Sequence, residues 1–242
     1  MIHSRENLET TFIKRNPHLE LLRKIGIFSH LNDGTLLDLY RRMSVKRWHG
    51  GAIIMGQYEP GDALCVLVSG RAKVVLFGEN GREMILSVLR PGDFFGEMSL
   101  FDGKPRSANV VADRDSTMLV LEKEAFMVQL ERHPQFAIQL LQEMASRLRS
   151  ANEIINNLAL HDVSSRLTRT LVSLAEENGE LQDDGILIRQ RPTQQDLANM
   201  VGTCRETVSR ALSAMAREGL VVSRGRSLLL RRALLDSIRQ AA

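Results

Sequence analysis

An acidic residue and an arginine lie close together in residues 94–108, FFGEMSLFDGKPRSA, within an otherwise strand-like part of the chain. Glu97 follows Gly96, and Arg106 precedes Ser107. Polar side chains in apolar surroundings need hydrogen-bonding partners. A guanidinium with hydroxyl and backbone donors can hold a phosphate, and a carboxylate can accept from a ribose hydroxyl. The segment therefore predicts a ligand site, with a Glu97–Arg106 salt bridge that only fixes the loop as the alternative.

Residues 194–216, QQDLANMVGTCRETVSRALSAMA, are the second chemically informative segment. Apolar residues recur at helical spacing on both sides of Gly202, which predicts two short helices joined by a tight turn. Arg205, Glu206 and Arg210 lie on the face of the second helix opposite its apolar residues. In the major groove, Arg reads guanine and Glu can accept from cytosine. The segment predicts a DNA-binding helix-turn-helix, and an amphipathic hairpin with solvated charges is the alternative.

The sequence around this helix pair has the charge that DNA binding requires. Thr193, with Asp196 three residues later, predicts a capping-box start for the first helix. Residues 203–232 contain seven arginines and two acidic residues, a local charge of +5 that is typical of a face that neutralises phosphates. Residues 220–230 predict two strands around Arg224 and Arg226, a wing whose arginines contact phosphates.

A long amphipathic helix is predicted for residues 134–161. Its apolar residues follow a 3-4-3-4-3 spacing, the a/d seam of a coiled coil. The seam consists of Leu141, Met144, Leu148, Ala151, Ile155 and Leu158. Because the seam has no obvious partner within the chain, it indicates a symmetric dimer, with packing against the chain's own β-strands as the alternative.

The N-terminal half of the chain precedes this helix. Residues 19–43 predict two short helices separated at residues 32–34. From Arg47 onward, short β-like runs alternate with glycine-containing breaks, and Asn80-Gly81 is a strong hairpin signal. This pattern predicts an antiparallel roll or barrel with room for one small ligand or a filled core.

Two motifs resemble those of a known family. Gly96-Glu97 followed by Pro105-Arg106-Ser107-Ala108 resembles the phosphate-binding cassette of cyclic-nucleotide-binding domains. Residues 205–210, RETVSR, resemble the recognition helix of the bacterial cyclic AMP receptor protein family, which includes the fumarate–nitrate-reductase type of regulator. The resemblance covers about residues 22–230. It implies an α+β chain with an N-terminal antiparallel β-roll, a long central dimerisation helix and a C-terminal winged helix-turn-helix.

The resemblance also implies sites. The candidate ligand contacts are Gly96, Glu97, Met98, Ser99, Arg106, Ser107 and Asn152. The candidate DNA contacts are Thr193, Cys204, Arg205, Glu206, Ser209, Arg210, Arg224 and Arg226, with TGTGA-like half-sites. Ala151 and Asn152 stand where the family's cyclic AMP receptor has a Thr-Ser pair that contacts adenine. Cyclic AMP, another cyclic nucleotide and no ligand at all therefore remain open.

We expect four segments: an N-terminal extension at residues 1–18, the roll at 19–133, the dimerisation helix and hinge at 134–162, and the DNA-binding domain at 163–242. The expected function is that of a homodimeric, sequence-specific transcription regulator, under cyclic-nucleotide control or with a vestigial pocket. The alternative from another class is a nucleotide-binding regulatory subunit of an enzyme.

Several classes are not expected. No nucleophile–base or metal constellation appears in the sequence, so the chain is not expected to be an enzyme. Cys65 and Cys204 suggest no disulfide framework, and the sequence contains no signal peptide and no apolar run near 18 residues. We expect a cytoplasmic protein without a membrane partner. Its expected partners are double-stranded DNA and a second copy, and the resemblance adds RNA polymerase, which residues 178–185 would contact.

Overall fold

The computed structural model describes residues 13, 15–79 and 81–240, with side chains up to residue 236. Most of the predicted N-terminal extension, and Asn80 of the predicted Asn80-Gly81 turn, lie outside the described residues. The chain divides into two compact units. One contains the chain up to Phe77 together with Leu86–Ser150, and the other contains Gly78–Ile85 and the chain from Ala151 onward.

Two short helices precede the sheet of the first unit, namely α1 (Pro17–Lys24) and α2 (Asp33–Arg41), with a 3-10 turn at Gly26–Phe28 between them. Asn32 caps α2, because its side chain accepts from the backbone N–H of Thr35 at 2.9 Å. The predicted break at residues 32–34 is therefore displaced, since Asp33 and Gly34 belong to the first turn of α2 and the helices separate over the preceding residues.

An antiparallel sheet forms the roll of the first unit. Its strands are β1 (Met43–Trp48), β2 (Ile53–Met55), β3 (Ala63–Phe77), β4 (Glu83–Leu89), β5 (Phe94–Phe95) and β6 (Asn109–Glu122). The strand order is β1-β6-β3-β4, with β2 paired to β6 and β5 paired to β3. The long strands β3 and β6 run antiparallel with register shifts that bend the pair.

Three helices complete the first unit, namely α3 (Met98–Asp102), α4 (Lys123–Arg132) and the first part of α5 (Pro134–Leu160). Residues 94–108 are thus not a plain interruption of the strands, because they contain β5 and α3. Phe136 of α5 stacks on Phe28 at a ring separation of 5.6 Å and meets Phe126 edge-on at 5.5 Å. This aromatic cluster fixes the start of the long helix against the roll.

The second unit has its own core and its own sheet. Its elements after α5 are α6 (Val163–Asn178), β7 (Glu180–Gln182), β8 (Gly185–Ile188), α7 (Gln194–Val201), α8 (Arg205–Arg217), β9 (Val221–Arg224), β10 (Ser227–Arg231) and α9 (Arg232–Gln240). The strands are ordered β7-β8-β10-β9. Residues 178–185, the expected RNA polymerase contact, are mostly the β7–β8 hairpin. The β9–β10 pair confirms the predicted wing.

The predicted α+β architecture is confirmed, with an antiparallel roll, a long central helix and a helix-turn-helix beside a small sheet. Among the helices that the structure describes, none combines the length and the apolar character needed to cross a membrane.

Candidate ligand and DNA-binding sites

The Arg106 side chain occupies a tightly packed position inside the roll, the Arg106 seat, between Gly61, Ala63 and Gly96. Its guanidinium donates from Nη1 to the carbonyl of Gly96 at 2.5 Å and from Nη2 to the carbonyl of Ala63 at 2.9 Å. A Cβ at Gly61 would lie 2.6 Å from Arg106 Cζ, and a Cβ at Gly96 would lie 2.8 Å from Nη1. Two glycines therefore leave the space that this buried guanidinium occupies, and φ at Gly96 is +87°, which also favours glycine.

Glu97 is only 4% exposed, and within the described residues one of its carboxylate oxygens has no hydrogen-bond partner. Oε1 accepts from Arg147 Nη1 at 3.2 Å, whereas Oε2 is buried without a hydrogen bond in the described residues. The alternative of a Glu97–Arg106 salt bridge is therefore replaced by a Glu97–Arg147 pair. An unsatisfied buried acceptor costs about 1–3 kcal/mol, so a hydroxyl donor from a ligand would be favoured here.

Arg147 is the site residue that sequence reasoning missed. It projects from α5 and donates to the carbonyl of Phe94 at 2.7 Å, to Glu97 and, through Nε, to Glu143 at 3.0 Å. Its guanidinium also lies 4.5 Å from the centre of the Phe94 ring. The spacing of Glu143 and Arg147 could have signalled a helical ion pair, but the contact with Glu97 depends on the tertiary fold.

The other predicted ligand residues differ in position. Ser99 is buried, whereas Met98 and Ser107 are exposed, and the Ser107 hydroxyl contacts the Met98 sulfur at 3.5 Å. Asn152 is exposed on the part of α5 that belongs to the second unit, so its role stays a prediction. The structure thus brings together Gly96, Glu97, Ser99 and Arg106.

The helix pair α7–α8 has the predicted local structure. Thr193 and Asp196 form a reciprocal capping box at the start of α7, and Gly202 ends that helix with φ of +68°. The apolar face of α8 is buried in the core of the second unit through Val208, Leu212 and Met215. The apolar face of α8 therefore holds this helix in place against the core.

The opposite face of α8 is open to solvent. Arg205, Glu206 and Arg210 are exposed, and Ser209 beside them is half-buried. The pKa of the Glu206 carboxyl is lowered by the backbone N–H at the start of the helix and by the Cys204 side chain. Glu206 is therefore ionised near neutral pH and can act as a hydrogen-bond acceptor between two arginines.

Two further groups contain predicted DNA contacts. The Cys204 thiol is exposed and lies 3.1 Å from the Thr207 hydroxyl. Arg224 and Arg226 are exposed at the β9–β10 turn, where Gly225 adopts φ of +59°. All the predicted DNA contacts thus lie in the second unit, on the start of α7, on α8 and on the turn of the wing.

The predicted seam of α5 is largely exposed. Leu141, Leu148 and Ile155 are spaced by one heptad and are 68%, 64% and 63% exposed. Met144 is instead half-buried against the core of the first unit. A repeated apolar stripe with this exposure is unusual for a helix that is already packed.

Comparisons with known proteins match a domain in each half of the chain. Residues 45–133 match the cyclic nucleotide-binding domain, and residues 165–238 match the Crp-like helix-turn-helix domain. A CRP-like cAMP-activated global transcriptional regulator of Mycobacterium tuberculosis is 30% identical over 87% of this chain and 94% of its own length. The cAMP-activated global transcriptional regulator CRP of Salmonella typhimurium is 32% identical over 82% of this chain and 94% of its own.

Solved structures give the same fold. The catabolite activator protein of Thermus thermophilus is 32% identical and covers 89% of this chain and 99% of its own, with a TM-score of 0.51. The c-di-GMP responsive global regulator CLP of Xanthomonas campestris shares the fold at 23% identity, with a TM-score of 0.71 over 82% of this chain and 98% of its own. With a cyclic nucleotide-binding domain, a Crp-like helix-turn-helix and relatives that are transcription regulators and not enzymes, the chain belongs to the CRP/FNR family of transcription regulators.

Proposed function

We propose that the chain is a homodimer that binds near-palindromic DNA with TGTGA-like half-sites and is controlled by a cyclic nucleotide. The observation that carries the DNA proposal is the exposed face of α8, where Glu206 stands between Arg205 and Arg210. Its apolar back is fixed in the core, so this face is free to enter a major groove. Thr193, Cys204 and Ser209 are proposed to contact DNA at its margin, and Arg224 and Arg226 are proposed to contact phosphates.

The dimer proposal is supported by the exposed heptad stripe of α5. The proposed interface comprises Leu141, Met144, Leu148, Ala151, Ile155 and Leu158. A second copy of the same helix would bury this stripe and would present one recognition helix to each half-site. Two-fold symmetry in the protein would then match the near-palindrome in DNA.

Cyclic-nucleotide control is supported by the chemistry of the cassette. Arg106 and Ser107 can take the cyclic phosphate, and the unpaired Glu97 Oε2 can accept from the ribose hydroxyl. Gly96, Met98 and Ser99 would line the same site, and Asn152 would take the place of a base contact. Cyclic AMP is the first candidate, because the curated relatives are described as cAMP-activated.

We infer the segment boundaries 1–18, 19–133, 134–162 and 163–242. Each matched family region falls inside one of these segments, residues 45–133 in the second and residues 165–238 in the fourth. RNA polymerase is a proposed further partner of the β7–β8 hairpin, where Leu181 is 83% exposed beside Asp183 and Asp184. Because the proposed target is chromosomal DNA, the proposed location is the cytoplasm.

The DNA proposal is tested by Arg205→Ala. Binding of the parent and the variant to a TGTGA palindrome and to a scrambled duplex would be measured at one salt concentration. We expect the variant to lose about 1–3 kcal/mol of discrimination for each half-site, because a bidentate contact to guanine is removed. Arg217→Ala, which removes an exposed arginine from the last turn of α8, serves as the matched control. Equal binding of the parent to both duplexes would contradict the proposal.

Ligand control is tested separately. The parent is titrated with cyclic AMP and with cyclic GMP, and both the heat of binding and the affinity for the palindrome are measured. A regulator with a functional site shows a change in both quantities for at least one nucleotide. If saturating nucleotide changes neither quantity, the pocket is vestigial and the protein is ligand-independent.

A further inference from the structure

Tyr58 occupies a backbone position that normally requires glycine. Its φ is +70°, and every other described residue with a positive φ is a glycine. In this left-handed region, the Cβ of an L-residue crowds the backbone, whereas glycine adopts it without strain. A backbone outlier of this kind is a reason to look for a function at that position.

The strained residue lies opposite Arg106. The Glu59 N–H donates to the Gly56 carbonyl at 3.2 Å and closes a tight turn in which Tyr58 is the third residue. The Tyr58 N–H donates to the Arg106 carbonyl, and the Arg106 N–H donates to the Glu59 carbonyl, both at 2.9 Å. Tyr58 and Glu59 thus both lie opposite Arg106, as in a β-bulge. The first residue of this type of bulge is usually glycine, and such bulges often redirect a side chain near a functional site.

Among the described residues, no contact of the Tyr58 side chain offsets this strain. The Tyr58 side chain is 78% exposed, and in the part of the chain that the structure describes it makes no hydrogen bond and no ring contact. Other groups of the turn have partners, because the Glu59 carboxylate accepts from the Gly56 N–H at 3.0 Å and the Gln57 N–H donates to Asn109 Oδ1 at 2.9 Å. A glycine at position 58 would keep both backbone hydrogen bonds without the strain.

Gly61, two residues after this turn, forms one wall of the Arg106 seat. Gly61 lies so close to the guanidinium that an added Cβ would be 2.6 Å from Cζ and Nε. Because the backbone of the turn is hydrogen-bonded to that of Arg106 and the chain reaches the guanidinium at Gly61, a phosphate held by Arg106 and Ser107 would lie near the turn that carries Tyr58. We propose that Tyr58 is a ligand-contact residue, whose ring packs over the cyclic nucleotide bound at Arg106. This inference rests on the proposed nucleotide binding and adds the residue that covers the ligand.

The test uses full-length protein with cyclic AMP as the probe and three substitutions of Tyr58. Tyr58→Gly and Tyr58→Asn both remove the ring, and both residues tolerate a positive φ. We expect the Tm of each free variant to rise by about 2–4 °C, while the Kd for cyclic AMP weakens about tenfold. Tyr58→Phe keeps the ring and the strain, and we expect its Kd to stay within about twofold of the parent's.

The outcomes separate this inference from the function on which it rests. A parent that binds neither cyclic AMP nor cyclic GMP overturns both. A parent that binds, with unchanged affinity in the glycine and asparagine variants, overturns the contact role of Tyr58 alone. Weakening in those two variants, together with retained binding in the phenylalanine variant, supports it, because a purely structural strain would change Tm and leave Kd unchanged.

Discussion

At the scale of single residues, the seat of Arg106 depends on the missing side chain of Gly61. A methyl group there would lie 2.6 Å from Arg106 Cζ, Arg106 Nε and Ser99 Cβ, so the guanidinium must move. We therefore expect Gly61→Ala to weaken cyclic nucleotide binding at least tenfold while the fold is retained, as measured by calorimetry and circular dichroism. Gly26→Ala is the matched control, because its nearest neighbour would be 3.8 Å away. Unchanged affinity in Gly61→Ala would show that the phosphate is not held at Arg106.

The two cysteines should differ sharply in reactivity. Cys65 is buried in the roll, and this burial raises the pKa of its thiol from 9.0 to about 12 against the opposing charge of Arg106. Its contribution to stability is therefore complete below about pH 9 and is lost as pH rises towards 12. Cys204 is exposed. At pH 8 we expect one thiol per native chain to react with a disulfide reagent and two after denaturation, with Cys204→Ser removing the native reaction. Fast reaction of two native thiols would contradict this assignment.

At the scale of secondary-structure elements, Arg147 joins the long helix α5 to the cassette. Its removal leaves the Glu97 carboxylate, whose side chain is 5% exposed, without its cation. We expect Arg147→Met to lower the free energy of unfolding by about 1–3 kcal/mol, as measured by urea denaturation. The double variant Arg147→Met with Glu97→Gln should lower the free energy of unfolding by less than the sum of the two single changes. Glu97→Gln removes the buried carboxylate charge that Arg147→Met leaves without a cation.

Additive effects of these two changes would contradict the coupling between helix and cassette. The matched control is Arg149→Met, because this arginine is exposed two residues further along the same helix. We expect this control to change the free energy of unfolding by less than about 0.5 kcal/mol.

The exposed stripe of α5 makes a second prediction at this scale. Leu148→Glu would place a charge in the middle of the proposed interface, where it would be desolvated and face its own copy. We expect the variant to be monomeric by light scattering at concentrations where the parent is dimeric. Asn156→Glu adds the same charge at an exposed position outside the stripe and should stay dimeric. A monomeric parent, or a dimeric Leu148→Glu variant, would contradict the proposed interface.

Elements with a local signal were predictable from the sequence. The capping box of Thr193 and Asp196, the left-handed Gly202 and the continuous helix from Pro134 each follow from neighbouring residues. The partner of Glu97 was not predictable, because Arg147 is 50 residues away and only the fold brings the two together. The bulge at Tyr58 was not predictable either, because a tyrosine gives no indication that its backbone adopts a positive φ.

At the scale of the whole molecule, each unit has its own hydrophobic core. Leu22, Phe28 and Phe136 belong to a core of the first unit, and Leu167 and Leu212 belong to that of the second. The ligand cassette and the DNA-reading face are therefore built independently. A nucleotide can raise the affinity for DNA only if it binds the DNA-competent arrangement of the molecule more tightly than the DNA-incompetent one.

This requirement makes the coupling reciprocal. If cyclic AMP raises the affinity for the palindrome by some factor, the palindrome must raise the affinity for cyclic AMP by the same factor. For a coupling free energy of about 1–3 kcal/mol, the factor is roughly 5–150. The nucleotide Kd would be measured with and without saturating palindrome, and the DNA Kd with and without saturating nucleotide. Scrambled DNA is the control, since it does not engage the recognition helices specifically. A factor clearly above one in both directions would show that the cassette and α8 are coupled. A nucleotide that binds with the same Kd with and without the palindrome would act only as a structural ligand of the roll.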